Sequence, residues 1–328
     1  MLSRTAANMF WLARYIERAE NLARLLDVSY RLSLLHMGED DGLEAWRMGL
    51  EIADDDELFA ERYGRVTPEA VLTYLGLDRD NPASIVASLV RARENARILR
   101  NQITQEMWEA INDTWLGLER FEGSAARLGE GGVTVFLEWV RERSHLFRGV
   151  TYGTMLHDDG FWFVRLGTFI ERADNTARLL LFKAAEVGPG DEPDASDLVY
   201  YQWASLLRAL GGFRGYHRTY RDAITPTRVV AFALLNPAMP RSLRHCLDHV
   251  IDSLDWLETP ADAPLRLNAQ SLRGQLTNAR VEDLVARGLE SVLEDFMERN
   301  AALADELRRQ YMGLGASGAR MEQSQASR

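Results

Sequence analysis

The side chains best suited to chemistry in this sequence occur twice, in two segments that are nearly identical. Residues 16–26 read IERAENLARLL and residues 170–180 read IERADNTARLL, with nine of eleven positions the same. The shared polar positions are Glu17, Arg18, Asn21 and Arg24 in the first segment and Glu171, Arg172, Asn175 and Arg178 in the second. A guanidinium group can bind a carboxylate or a phosphate through two parallel hydrogen bonds, and a buried carboxylate can act as a general base. The repeat is therefore the strongest candidate for a site.

The sequence leaves open why this polar face is repeated. A solvated face explains it poorly, because i,i+4 pairs contribute only about 0.2–0.5 kcal/mol each and many residue choices would serve. A structural interpretation packs the two helices together, so that Glu17 pairs with Arg172 and Glu171 pairs with Arg18 about a pseudo-twofold axis. Removing one member of such a buried pair costs about 3–5 kcal/mol, which would preserve both copies.

A functional interpretation, compatible with the structural one, places the repeated faces along a cleft. The predicted residues for binding a substrate or a partner are Arg14, Arg18, Asn21, Arg24, Arg172, Asn175 and Arg178. Glu17 and Glu171 are the catalytic candidates, and the role of general base would require burial to raise the pKa of the carboxyl group. The sequence does not decide whether the protein is an enzyme.

Three histidines are weaker candidates for chemistry. His245 and His249 have the i,i+4 spacing of a metal-binding pair, but a fourth ligand is not evident and no HExxH motif surrounds them. An ordinary, partly buried helix is the favoured interpretation of that segment. His157 could be a general base, although its position in MLHDDG favours a capping loop before the second repeated helix.

Carboxylates could also serve a two-metal site within a helical bundle. Glu17 with Glu20 and Glu171 with Asp174 would suit Mg²⁺ or Mn²⁺, but the histidines that accompany carboxylates in di-iron bundles are missing. The sequence has no GxxxxGK[ST] loop, no GxGxxG after a strand and no GxSxG elbow. We therefore expect no metal and no cofactor, and we expect a partner to bind any ATP that is involved.

The periodicity of apolar residues predicts an all-α fold, a helical bundle built around a duplicated long helix. The first repeated segment lies on a predicted helix from Ser3 to about Leu35, and the second on a helix of about 25 residues that starts near Gly160. We also predict a helix start at Asn81, a glycine-rich break at 129–132 and a last helix over 281–311. A possible division into two lobes falls at 188–196, and 313–328 is expected to be a disordered tail.

Composition narrows the class of protein. The chain has 328 residues, a formal net charge of −11 and one cysteine, Cys246, which excludes an intrachain disulfide. The acidic balance disfavours nucleic acid as a partner, and no apolar run is long enough to span a membrane. The charged residues between Arg14 and Arg24 interrupt any secretory signal. We expect a soluble, cytoplasmic protein, and its oligomeric state stays open.

Several segments resemble the bacterial alpha-E family of helical proteins, named for a Glu-Arg motif. They are FWLARYIERAENLARLLD, ARENARILRNQITQEMWEAIN, WFVRLGTFIERADNTARLL and NPAMPRSLRHCL. The resemblance implies a single helical domain over 1–312, with Glu17–Arg18 and Glu171–Arg172 matching the naming motif. It also implies a role beside circularly permuted ATP-grasp ligases and transglutaminase-like proteins, in peptide or amide-bond synthesis or modification. It carries over no established catalytic residue.

Overall fold

The computed structural model describes residues 2–35, 39–53, 56–121, 125–187 and 197–313. Within these ranges the chain forms fifteen α-helices and no β-strand, which confirms the all-α prediction. The helices are α1 Ser3–Leu35, α2 Glu39–Ala53, α3 Asp56–Tyr63, α4 Pro68–Leu72, α5 Ile85–Ile98, α6 Gln105–Leu118, α7 Ala125–Thr154, α8 Asp159–Leu181, α9 Asp197–Ala209, α10 Phe213–Tyr220, α11 Pro226–Leu235, α12 Leu243–Trp256, α13 Pro264–Asn278, α14 Val281–Ala286 and α15 Leu289–Tyr311. The predicted lobe division at 188–196 and the predicted tail beyond residue 313 lie outside the described residues.

The repeated segments lie on α1 and α8, which pack side by side at the centre of the fold and run in the same direction. Phe10 contacts Gly167 in the N-terminal halves of the two helices, and Val28 and Lys183 line one cavity near their C-terminal ends. Helix α8 begins where Asp158 accepts a hydrogen bond from the backbone N–H of Gly160 at 2.9 Å, as expected for a capping loop. The parallel arrangement brings the two Glu-Arg motifs level with each other.

Small residues allow α1 and α8 to approach closely. A methyl group added to Gly167 would lie 2.3 Å from the backbone oxygen of Phe10 and 3.1 Å from the Cβ atom of Ala13. Ala13 and Gly167 are 154 residues apart, the same interval that separates the repeated motifs, so they are counterparts in the duplication. Each copy therefore supplies a small residue at the closest point of contact.

The duplication extends beyond the two central helices. Helices α4 and α11 both follow a Thr-Pro pair, and the hydroxyl groups of Thr67 and Thr225 accept hydrogen bonds from backbone N–H groups three residues ahead. Helices α5 and α12 both start after a serine cap, Ser84 or Ser242. Helix α5 packs on α1 as α12 packs on α8, and α7 packs on α1 as α15 packs on α8. The described chain is thus built from two related helical units around the α1–α8 pair.

Two predicted breaks differ from the structure. Helix α7 continues through the glycines at 129–132, so the predicted break is wrong. Each helical glycine costs about 1 kcal/mol relative to alanine, and the apolar face that includes Phe136 and Leu137 offsets this cost by entering the core. The predicted last helix is divided instead, because Gly288 adopts a φ of +91° between α14 and α15.

The predicted helix start at Asn81 is also wrong. Asn81 instead accepts a hydrogen bond from the backbone N–H of Ala83 at 2.8 Å, which forms a turn, and Ser84 caps α5. Asn236 makes the equivalent bond with the backbone N–H of Ala238 at 2.9 Å before α12. The Asn-Pro-Ala segments are therefore turns that lead to a capped helix.

Candidate functional site

The two Glu-Arg motifs pair with each other across the α1–α8 contact. Arg172 donates from Nε and Nη2 to the two carboxylate oxygens of Glu17 at 2.9 and 2.8 Å. Arg18 donates from the same two nitrogens to Glu171 at 2.6 and 3.3 Å, and Arg14 adds a bond of 2.6 Å to Glu171. The predicted reciprocal ion pairs are confirmed. The solvated-face interpretation is wrong, since Glu17 is 1% exposed and Glu171 is 6% exposed.

The first copy of the polar face is closed by an arginine that sequence reasoning missed. The guanidinium group of Arg241, just before α12, donates to Glu20 at 2.8 Å and to Asn21 Oδ1 at 2.6 Å, and it forms an ion pair with Glu17 at 2.9 Å. Arg241 and Glu20 are both almost fully buried. The segment NPAMPRS carries this arginine, but nothing in its spacing shows that it reaches α1.

Side chains from α1 and α7 complete the first copy. Arg24 donates to Glu20 at 2.8 Å, and Ser144 donates to the other oxygen of Glu20 at 2.7 Å. Arg148 bridges Glu17, at 3.1 Å, and Glu20. We call this largely buried set the closed cluster: Glu17, Glu20, Asn21, Arg24, Ser144, Arg148, Arg172 and Arg241. Its arginines bind carboxylates of the protein itself, so Arg24 and Arg172 are not placed to bind a substrate as predicted.

The second copy of the face borders a cavity of about 210 Å³. We call this cavity the open pocket. Its polar lining is Arg18, Asn21, Glu171, Asp174, Asn175 and Arg178, and its wall includes Leu22, Leu25, Ile52, Ala53 and Ala83. Arg178 pairs with Asp174 at 2.8 Å, as Arg24 pairs with Glu20 in the first copy. Four of the predicted binding residues on α1 and α8 therefore meet at one pocket, namely Arg18, Asn21, Asn175 and Arg178.

The electrostatics of the buried carboxylates oppose their use as general bases. Burial alone would raise the pKa of Glu171, but the guanidinium groups of Arg14 and Arg18 lower it to about 2. In the closed cluster too, burial alone would raise the pKa of the carboxyl groups, but the arginines outweigh it. Arg172 and Arg241 lower the pKa of Glu17, and Arg241 is the main group that lowers the pKa of Glu20. A general base needs a pKa near the working pH, so these geometries favour permanent anions.

Comparison with known proteins gives the chain a family. Residues 1–312 match the family described as "a predicted alpha-helical domain with a conserved ER motif". The chain belongs to the Alpha-E family. Its two paired Glu-Arg dipeptides, Glu17–Arg18 and Glu171–Arg172, give the motif a structural role in this member, because each carboxylate binds the arginine of the other copy.

Curated relatives of this Alpha-E chain are uncharacterised proteins of mycobacteria. One from Mycobacterium bovis is 27% identical over 183 residues, which is 52% of this chain and 21% of the relative. One from Mycobacterium tuberculosis is 26% identical over 183 residues, again 52% of this chain and 21% of the relative. The aligned part of the chain thus spans about a fifth of the length of these relatives. No solved structure matches the chain.

The dependence of the free energy of unfolding on pH below 5 tests whether the Glu-Arg motifs of this Alpha-E chain are paired. Because the pKa of folded Glu171 is about 2 and its ordinary value is 4.5, its stabilisation is present above 4.5 and is lost as the pH falls toward 2. The difference corresponds to about 3 kcal/mol. We expect urea unfolding of the Glu171→Gln variant to depend less on pH than unfolding of the natural chain between pH 5 and pH 2, whereas the exposed-site variant Glu94→Gln keeps the natural slope. Equal slopes for Glu171→Gln and the natural chain would show that Glu171 is not paired in the folded state.

The remaining candidates of this Alpha-E chain are engaged in ordinary contacts. His245 Nδ1 lies 2.8 Å from the carbonyl oxygen of Pro237, and His249 Nδ1 lies 2.8 Å from Arg165 Nη2. Burial and the neighbouring Arg165 lower the pKa of His249 to about 4, and burial raises the pKa of Cys246 to about 12. His157 stacks on Phe161 with ring centroids 3.8 Å apart.

The described part of the chain holds neither a cluster of metal-binding side chains nor a candidate membrane span. There, no group of three or more His, Cys, Asp or Glu side chains is arranged to hold a metal ion. The carboxylates of Glu17 and Glu20, which the two-metal hypothesis requires, face guanidinium groups of Arg148, Arg172 and Arg241 instead. In the same ranges, no helix has the length and apolar character needed to cross a membrane.

Proposed function

We propose that this chain is a helical accessory or co-catalytic subunit of an ATP-grasp-linked system for peptide or amide-bond synthesis or modification. In this role it binds charged groups of a polypeptide, either a substrate or the partner itself, at the open pocket. An ATP-grasp-type ligase is the expected partner, and a transglutaminase-like protein is a possible further one. Both partners come from the family resemblance.

One observation carries the binding part of the proposal. The polar face occurs in two copies. In the first copy, Arg241 of the same chain donates to Asn21 and Glu20, whereas the second copy borders a cavity of about 210 Å³. If Glu171, Asn175 and Arg178 were retained in the second copy of the repeat for structure alone, no pocket beside them would be required. A cavity with a few convergent polar groups is the usual form of a binding site.

The rival hypotheses receive less support. A stand-alone enzyme that uses Glu17 or Glu171 as general base would need a raised pKa, and the pKa of both carboxyl groups is lowered. A pure scaffold is consistent with the closed cluster but gives no role to the open pocket. The absence of a recognisable nucleotide-binding loop from the sequence favours a partner as the ATP-binding component.

Reconstitution with an ATP-grasp-type ligase from the same organism tests the proposal. We expect the two purified proteins to form a complex in size-exclusion chromatography, and we expect the complex to consume ATP with peptide substrate faster than the ligase alone. Asp174→Asn at the pocket should reduce that stimulation, whereas Glu94→Gln, at an exposed ion pair on α5, should not. No complex and no stimulation would refute the proposal.

A further inference from the structure

The two halves differ in the turn that precedes α5 and α12. The first half reads Asn-Pro-Ala-Ser and the second reads Asn-Pro-Ala-Met-Pro-Arg-Ser, so three extra residues separate Ala238 from Ser242. In each turn the cap serine donates to a carbonyl six residues earlier, Ser84 to Asp78 at 2.5 Å and Ser242 to Asn236 at 2.6 Å. The extra residues include Arg241, which closes the first copy of the face. The shorter turn places Ala83 on the wall of the open pocket instead.

The residues that bind Arg241 have counterparts around the open pocket. The side chain of Arg241 forms an ion pair with Glu17 and hydrogen bonds with Glu20 and Asn21. The carbonyl groups of the same turn accept hydrogen bonds from Arg172 and Thr176. Shifted by the 154-residue interval of the duplication, these five positions become Glu171, Asp174, Asn175, Arg18 and Leu22. All five line the open pocket. The pocket therefore lies where the closed cluster holds a guanidinium group.

The balance of charge is also the same in the two copies. Apart from Arg241, the closed cluster combines the carboxylates of Glu17 and Glu20 with the guanidinium groups of Arg24, Arg148 and Arg172. At the open pocket, the carboxylates of Glu171 and Asp174 also pair with three arginines, namely Arg18 and Arg178 of its lining and Arg14, which pairs with Glu171 but does not line the pocket. The closed cluster accepts a further guanidinium group against that background. A cation of the same kind meets equivalent electrostatics in the open pocket.

The open pocket also offers a hydrogen-bond donor to the backbone of a guest. Arg18 has the position from which its counterpart Arg172 donates to the carbonyl oxygen of Pro240 at 3.3 Å. Arg18 lines the open pocket. A backbone carbonyl of a guest would accept from Arg18 as the carbonyl of Pro240 accepts from Arg172.

We propose that the open pocket binds an arginine residue of a polypeptide. Its guanidinium group takes the place that Arg241 has in the closed cluster, against Glu171, Asp174 and Asn175, and its backbone carbonyl accepts from Arg18. The inference rests on the proposed function only in taking a polypeptide as the guest. It names the side chain that the pocket recognises. Citrulline, which has the same shape and no charge, is therefore expected to bind weakly.

Calorimetric titration of the purified full chain tests this assignment with N-acetyl-L-arginine methylamide and its citrulline analogue. Because hydrogen bonds to charged groups contribute about 1.5–3 kcal/mol, the citrulline probe should bind at least about tenfold more weakly. Asp174→Asn, at a partly exposed position, should weaken the arginine probe to a similar extent, and Glu94→Gln should leave it unchanged. Inserting Met-Pro-Arg between Ala83 and Ser84 copies the longer turn and should abolish binding by filling the pocket.

Several outcomes would overturn the assignment. They are equal binding of the arginine and citrulline probes, no detectable binding of the arginine probe at millimolar concentration, and binding that neither Asp174→Asn nor the insertion affects. The titration uses this chain alone, so its result is independent of whether a ligase complex forms. A ligase complex without arginine binding would refute this inference and leave the proposed function standing. Arginine binding without a ligase complex would support this inference and refute the proposed function.

Discussion

Replacing Arg241 with alanine is expected to lower the free energy of unfolding by about 3–5 kcal/mol, measured by urea denaturation at pH 7. Arg241 is 6% exposed, and its guanidinium group donates to Glu20 and Asn21 and forms an ion pair with Glu17 on α1. Without it, Glu17 and Glu20 keep Arg172, Arg148 and Arg24 but lose one donor in a buried network. The large effect comes from breaking this buried network and from leaving buried acceptors without their donor.

Arg97→Ala is the matched control for this substitution. Arg97 also pairs with a glutamate, Glu94 at 2.9 Å, but its side chain is 64% exposed. Exposed pairs contribute about 0–1 kcal/mol, so the control should change stability little. A loss for Arg241→Ala no larger than the loss for Arg97→Ala would contradict the buried character of the closed cluster.

The second large effect is expected at Gly167, where α8 meets α1. The Cβ atom of an alanine there would lie 2.3 Å from the carbonyl oxygen of Phe10, which belongs to the helix backbone and cannot rotate away. The helices must therefore separate, and overpacking of this kind costs about 1–3 kcal/mol or more. Displacing α8 also lengthens the reciprocal ion pairs one to two turns away, so we expect the upper end of that range in urea denaturation.

Gly149→Ala supplies the comparison, because Gly149 lies inside α7 and has no atom within 4 Å of the position that a Cβ atom would take. Alanine is favoured over glycine in a helix by about 1 kcal/mol, so this variant should be slightly stabilised. If both variants gained stability, the close approach of α1 and α8 would be incorrect.

The central part of the architecture could be predicted because duplication makes packing visible in the sequence. Glu17 and Arg172 are 155 residues apart, yet repetition of the polar face indicated that the two motifs meet. Helix α1 was placed at its observed ends, since apolar residues recur at helical spacing through Leu35. Local preference failed where packing opposed it, as at the glycines of α7, whose cost the core-facing residues on the same helix offset.

The closure of one copy could not be predicted, because it depends on loop length rather than on residue type. Arg241 lies 220 residues beyond Asn21 and reaches it through a turn three residues longer than its counterpart. No periodicity carries that information. The same difference leaves the second copy beside a cavity, so the sequence could nominate Arg18, Asn175 and Arg178 but could not separate them from Arg24 and Arg172, which the closed cluster holds.

The two copies together suggest how a duplicated structural element acquires a binding role. In the first half of the face, an arginine from the same chain completes the network and contributes to stability. In the second half, Arg18 keeps its reciprocal pair with Glu171, Arg178 pairs with Asp174, and Asp174 and Asn175 line a cavity. Under the proposed function, binding belongs to the second copy, while the ion pairs of both copies contribute to stability.

The most direct measurement of this equivalence is a crystal structure of the Arg241→Ala variant grown with methylguanidinium. We expect one guanidinium group against Glu17, Glu20 and Asn21, where the natural arginine was removed. A second is expected against Glu171, Asp174 and Asn175 in the open pocket. Density at the first position alone would show that the copies are not equivalent and would contradict the account, with the first position proving that the probe had entered the crystal.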